Sequence, residues 1–243
     1  MEIKMKKILF VGNSFSQNAT RYVEAIADGE LFVRNLYIGG CPLSLHVENI
    51  HTGEPSYEYQ KDAVSTGMIS LDGALDAEDW DAVSVQQVSS LSGIADSYEP
   101  YITELLAHIR EKKPVAQLVF HRTWAYEDSS EHPAFEYYSR SRERMYEMIE
   151  RTVSEIASRH NLPVIPSGVA VERARELPEL DTRGGGSPIT VADGFHLNGY
   201  GEYLAGLVLY KFFTGKSPLG VSFVPSELDA SLCEKLKRIA DEV

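Results

Sequence analysis

The sequence predicts an α/β fold: a mainly parallel sheet of about five strands between two layers of helices, an α/β/α sandwich. Three observations predict it. Short continuous apolar runs, the pattern of strands buried on both faces, recur along the chain. Stretches with helical apolar spacing separate the later ones. Glycine or proline punctuates the junctions. The 243 residues suffice for a sizeable core, and a single domain over residues 1–243 is expected.

The first apolar run, Ile8 to Val11, stops at Gly12 and gives way to a polar turn, Asn13 to Asn18. Thr20 to Ala27 then has helical spacing, with Tyr22, Val23 and Ile26 on one side. Leu31 to Ile38 reads as a second strand closed by Gly39-Gly40, and Ala82 to Gln87 as a third after the acidic stretch Asp76 to Asp81. A fourth, Val115 to His121, is launched by Pro114, and a short fifth covers Leu162 to Ile165. Between these, Ile102, Leu105, Leu106 and Ile109 share a helical face, as do Met145, Met148, Ile149, Val153 and Ile156. Closing helices are expected over Gly199 to Phe213 and Ser226 to Asp241. Right-handed crossovers bring the C-terminal ends of parallel strands to one edge, where ligands bind in such folds.

Hydrophobic residues make up 43% and charged residues 24%, and the net charge is −13. Such an acidic chain repels phosphate backbones and anionic lipid, so neither nucleic acid nor a membrane is expected as partner. The apolar run after the basic opening Met1 to Lys7 is too short for a signal-peptide core, and a cytoplasmic location is expected. The two cysteines, Cys41 and Cys233, read as separate buried thiols and offer no zinc spacing.

Two clusters bear chemistry. Ser14 follows the first strand in Gly12-Asn13-Ser14-Phe15-Ser16, at the sheet edge where ligands bind. Its hydroxyl becomes a useful nucleophile only if a base takes its proton. Alone, the same residue suits a helix N-cap. Asp193-Gly194-Phe195-His196 precedes the helix expected from Gly199. A carboxylate three residues before a histidine can hold the imidazole Nδ1–H and leave Nε2 free, as a serine base requires. Alone, that tetrapeptide suits an Asx turn with a capping histidine.

Together and in this order, the clusters resemble the SGNH hydrolases, the GDSL-type esterases. Gly12-Asn13-Ser14 matches their first block, with asparagine for aspartate, and Asp193 to His196, followed by Asn198, Gly199 and Gly201, matches their last. The resemblance spans residues 7 to about 215, and within the family Gly-Asn-Ser-Phe-Ser looks like a bacterial branch suspected of acting on carbohydrate esters. It implies a flavodoxin-like sheet and a serine hydrolase working through an acyl-enzyme on a small-molecule or carbohydrate ester, with no cofactor. It also implies Ser14 as nucleophile, His196 as base and Asp193 as orienting carboxylate. The oxyanion would meet the N–H groups of Ser14 and Gly40, the latter preferred over Gly39. The family's third block supplies an asparagine; here the third strand ends Val85-Gln86-Gln87-Val88-Ser89-Ser90. Gln87 is the expected replacement donor, with Gln86 and Ser90 as rivals.

Trp124 and Tyr126, after the fourth strand, suit a stacking platform for a sugar or acyl chain, or equally a packed anchor. Arg122 reads as a surface ion-pair residue, with a carboxylate-binding role as the alternative. The remaining histidines (His46, His51, His108, His132 and His160) show no metal spacing. The glycine-rich stretch Asp181 to Pro188 is expected to be a mobile connection bordering the site. Two other functions compete: a phosphate- or nucleotide-binding module, disfavoured by the missing second and third glycines, and a catalytically silent carbohydrate-binding relative.

Overall fold

The first apolar run becomes β1 (Lys6–Gly12), the middle of the parallel sheet in a computed structural model that describes residues 5–243. The first four positions of the basic opening lie outside the described residues. Ile8, Leu9, Phe10 and Val11 are at most 1% exposed, because helices cover both faces of the strand. Burying each such side chain is worth about 1.5–3 kcal/mol. The other strands are β2 (Leu31–Tyr37), β3 (Tyr57–Lys61), β4 (Val64–Ile69), β5 (Ala82–Val85), β6 (Gln117–His121) and β7 (Val164–Ile165). They form one seven-stranded sheet in the order β4-β3-β2-β1-β5-β6-β7.

The five strands from β2 to β7 in that order are parallel and follow the expected pattern, with a flavodoxin-like sequence of crossovers. The additional pair, β3 and β4, is antiparallel and extends the sheet beyond β2. This hairpin carries no sequence signal because its turn, Asp62-Ala63, contains no glycine although both residues have positive φ, 50° and 64°. Such two-residue turns ordinarily announce themselves with Asn-Gly or Asp-Gly. The strand β4 also lacks an apolar face, since it lies exposed at the sheet edge.

The helices are α1 (Ser14–Thr20), α2 (Val23–Ala27), α3 (Leu43–Thr52), α4 (Leu71–Asp76), α5 (Tyr101–Lys112), α6 (Arg142–His160), α7 (Ser167–Ala174), α8 (Gly199–Thr214) and α9 (Ala230–Glu242). One layer gathers α1, α2, α7 and α9 around α8. Helix α8 is therefore apolar on nearly every side, with Tyr203 to Tyr210 all buried. The opposite layer holds α3, α4 and α5, and the right-handed crossover to β7 places α6 beside α5, where Arg110 donates to the His160 carbonyl.

Several boundaries differ from the sequence expectation for local reasons. The helix expected over Thr20 to Ala27 is two short helices. Thr20 Oγ1 donates back to the Ser16 carbonyl at 2.9 Å, a bond that competes with helix continuation. β6 starts at Gln117 because Ala116 N–H bonds Lys113 O in a turn that leaves Val115 93% exposed. β5 stops at Val85, where Gln86 and Gln87 leave the ladder for side-chain bonds. The last helix begins at Ala230, capped by Asp229 Oδ1 accepting from Leu232 N. Cys41 and Cys233 are separate buried thiols. Among the described residues no helix is long and apolar enough to cross a membrane.

Candidate active site

The C-terminal end of β1 begins the site. Gly12 has room for no side chain: a Cβ would stand 2.3 Å from Ser16 Oγ and 3.1 Å from Gln86 Cδ. Asn13 is the N-cap of α1, accepting from Phe15 N at 3.1 Å, while Ser16 Oγ accepts from Asn13 N at 3.0 Å. With the cap supplied by Asn13, Ser14 is the first helical residue and its hydroxyl is free for another partner. That partner is His196, whose Nε2 lies 2.8 Å from Ser14 Oγ, across 182 residues of chain.

His196 Nδ1 lies 2.7 Å from Asp193 Oδ2, and Asp193 Oδ1 accepts from the N–H groups of Phe195 at 2.9 Å and His196 at 3.0 Å. Burial pushes the Asp193 carboxyl up, but those two N–H groups and the imidazole outweigh it and hold it below the ordinary carboxylate range. A carboxylate can only accept, so His196 Nδ1 carries the proton and the Nε2 lone pair faces the Ser14 hydroxyl. This is the geometry in which a serine oxygen can lose its proton as it attacks a carbonyl.

The loop holding Asp193 and His196 is fixed from several sides. Val191 N donates to His196 O and Gly194 N to Val191 O, closing a turn in which Gly194 has φ +76°. A side chain at Gly194 would also meet Ser130, 3.0 Å away. Glu127 N donates to Gly194 O at 2.7 Å and Ser130 Oγ to Asp193 O at 3.0 Å. Glu127 itself is buried against Arg175 and Arg142. Asn18, unmarked in the sequence analysis, ties the two clusters together: its Oδ1 accepts from Leu197 N and its Nδ2 donates to Glu202 Oε1. Only the spacing of Asn18 one helical turn after Ser14 hinted at it.

The remaining expected residues fall into two groups. Gly40 lies in a turn closed by Cys41 N donating to Ile38 O, and the Cys41 carbonyl in turn accepts from Asn13, the neighbour of Ser14. Its φ of +63° is one that an L side chain rarely adopts. Neither Ser14 nor Gly40 uses its backbone N–H in a hydrogen bond among the described residues. Gln87 is different. Its Oε1 accepts from Leu43 N at 3.0 Å and Val88 N at 2.8 Å, and its Nε2 donates to Ser97 O at 3.0 Å and Ser97 Oγ at 3.1 Å. The amide is buried and saturated, which corrects the expectation of an oxyanion donor there: Gln87 clamps β5 to the start of α3. Gln86 is buried too and bonds Asn13 and His121. Of the three candidates, Ser90 alone keeps a half-buried hydroxyl without a partner among the described residues.

Trp124 and Tyr126 are fully buried, so neither is a platform for a ligand. Trp124 stacks on Phe15 at 4.4 Å and donates to Phe195 O, and Tyr126 bonds Ser89. They anchor the loop behind the site. Arg122 faces Glu150 across 3.8 Å. His132 packs on Phe195 and Tyr126, and burial together with nearby His196 pushes its pKa down. A shallow groove of about 490 Å³ runs along Ser129, His132, Pro133, Asp193 and Phe195. The glycine-rich stretch bonds back on itself through Asp181 O and enters the site loop at Ile189.

An α/β sheet of this topology, with helices on both faces, is the fold of the SGNH hydrolases. A protein from Slackia heliotrinireducens proposed as an SGNH hydrolase shares it at TM-score 0.59 and 20% identity, covering 86% of this chain and 100% of that one. An acetylxylan esterase from Geobacillus stearothermophilus shares it at 0.52 and 16%, covering 93% and 100%. The chain belongs to the DUF4886 family, described as a domain of unknown function, whose model matches residues 7–242. A DUF4886 family protein from Bacteroides uniformis is 32% identical at TM-score 0.89, covering 98% of this chain and 94% of that one. No curated protein is significantly similar.

Proposed function

We propose that this protein is a serine hydrolase that cleaves a carboxylic ester through an acyl-enzyme, the acyl group being short, such as acetyl on a carbohydrate. The observation that carries this is the unbroken hydrogen-bond chain Asp193–His196–Ser14, formed from opposite ends of the sequence at the C-terminal edge of the sheet. An acetylxylan esterase of the same fold supports the substrate class.

In this mechanism His196 Nε2 accepts the Ser14 proton as Oγ attacks the ester carbonyl, and Asp193 stabilises the imidazolium that forms. The N–H groups of Ser14 and Gly40 stabilise the oxyanion, each donor contributing about 3 kcal/mol to the transition state. With Gln87 saturated, the Ser90 hydroxyl is the remaining side-chain candidate for a third. His196 returns the proton to the departing alcohol, and water then attacks the acyl-enzyme with His196 again as base. The groove beside Asp193 and Phe195, with polar and aromatic walls, suits a sugar on the alcohol side.

The test is hydrolysis of p-nitrophenyl acetate and butyrate by wild type and by Ser14→Ala. A loss of about a thousand-fold or more in the folded variant is expected. Equal turnover by the two proteins would overturn the assignment of Ser14. Binding of an acetylated sugar with no turnover by either would replace the hydrolase with a silent carbohydrate-binding relative.

A further inference from the structure

A second hydrogen-bond chain crosses the same sheet edge without touching His196. Asn13 Nδ2 donates to Cys41 O at 3.2 Å, and Gln86 Nε2 donates to Asn13 Oδ1 at 2.9 Å. Gln86 Oε1 lies 2.9 Å from His121 Nδ1, and His121 Nε2 lies 2.9 Å from Ser167 Oγ. The links run from the loop after β2, past the ends of β1, β5 and β6, to the first residue of α7. Asn13, Gln86, His121 and Ser167 are all at most 1% exposed.

Two backbone groups fix the direction of every link. Phe15 N–H can only donate, so it faces Asn13 Oδ1; the Cys41 carbonyl can only accept, so it faces Nδ2. Gln86 must then present Nε2 to Asn13 and Oε1 to His121. His121 therefore carries its proton on Nδ1 and accepts the Ser167 hydroxyl at Nε2. Burial pushes the His121 pKa down to about 3, which keeps the ring neutral and the direction unchanged. Cys41 also closes the turn that contains Gly39 and Gly40.

We propose that Asn13 is a positioning residue whose amide holds the Gly39–Gly40 turn against Ser14, and that Gln86, His121 and Ser167 orient that amide. Its consequence for turnover rests on the hydrolase proposed above; its geometry does not. The role demands an amide at position 13. An aspartate would keep the bonds to Phe15 and Gln86 but set a carboxylate oxygen against the Cys41 carbonyl, two acceptors facing each other.

The test compares wild type with Asn13→Asp and Gln86→Glu, following backbone amide exchange by NMR and hydrolysis of p-nitrophenyl acetate. Gln86→Glu leaves Ser14 and the turn untouched but replaces the donor to Asn13 Oδ1 with a carboxylate, so it repels the Asn13 amide and loosens its hold on Cys41 O from a distance. Both variants are expected to raise exchange at Cys41 at least about ten-fold while β1 and β2 stay protected. Both should also lower kcat by about a hundred-fold with KM nearly unchanged, as when one oxyanion donor is lost. In wild type, His121 should show the Nδ1–H tautomer.

Unchanged exchange at Cys41 in the folded variants would overturn the proposal whatever the activity. If Asn13→Asp does not fold, Gln86→Glu decides alone. Faster exchange in variants of a protein whose wild type hydrolyses no ester would uphold the positioning role and remove the hydrolase instead.

Discussion

Acidification to pH 5.5 should destabilise this protein through two histidines that sit nowhere near the surface. His46 and His121 are fully buried, and burial pushes their pKa values from 6.5 down to about 4 and about 3. His46 Nε2 has no hydrogen-bond partner among the described residues and His121 uses both ring nitrogens, so neither site welcomes a second ring proton. The sign follows from linkage. A folded-state pKa below the unfolded one gives stability that is complete above pH 6.5 and is lost as pH falls toward 4 and 3. At pH 5.5 the unfolded rings are protonated and the folded ones are not. That difference of one pH unit costs about 1.4 kcal/mol per histidine, or about 3 kcal/mol for the pair. Urea unfolding at pH 8 and pH 5.5 measures the loss, in a window that lies above most carboxylate titrations. His121→Asn keeps a donor for Gln86 but removes one titrating ring, so its pH dependence should be smaller by about 1.4 kcal/mol. Equal pH dependence in wild type and His121→Asn would refute the buried neutral histidine.

Gly168→Ala should destabilise the fold by about 3 kcal/mol in urea unfolding, because its Cβ would lie 2.2 Å from the Thr123 carbonyl oxygen. Near-wild-type stability would mean that α7 can move away from the end of β6. Ala63→Gly should raise stability by up to about 1 kcal/mol, since Ala63 holds φ +64° in the β3–β4 turn; thermal melting reads the gain. Gln87→Ala should cost about 2–3 kcal/mol by leaving Leu43 N and Ser97 O unpaired. In its folded fraction it should keep ester turnover within a few-fold of wild type, whereas a hundred-fold fall in kcat would return Gln87 to the role of oxyanion donor.

The parallel part of the fold is legible because β1 and β6 are buried on both faces and so carry continuous apolar runs, Ile8 to Val11 and Leu118 to Phe120, while β5 is apolar but for Ser84. The β3–β4 hairpin was not, because Tyr57 to Lys61 mixes aromatic and polar residues and β4 is bounded by solvent. The meeting of Ser14 with Asp193 and His196 is legible because the Asp193–His196 bond is local and Ser14 stands at a strand end. The bonds of Gln87 are not legible, for a definite reason. A glutamine at a strand end has the same donor whether it faces a ligand or a neighbouring backbone, and only tertiary contact with Leu43 and Ser97 decides. In sequence Asn13 stands merely where the resemblance has aspartate, since its Cys41 partner lies 28 residues away. Trp124 and Tyr126 were correctly placed after the fourth strand, but their burial under Phe15 and Phe195 has no signature in sequence.

The latch that Asn18 forms with Leu197 and Glu202 has a meaning for biosynthesis. Ser14 leaves the ribosome before its hydrogen-bond partner, which follows 182 residues later. Through that interval the strand order permits β1, β2, β5 and β6 to assemble while Asn18 waits, its amide still facing water. Translation of the stretch from Ile189 into α8 then supplies, at one stroke, the imidazole for Ser14 and both partners for Asn18. A nascent or truncated chain leaves the Ser14 hydroxyl without its imidazole until that moment, so the order of synthesis sets when the two can pair.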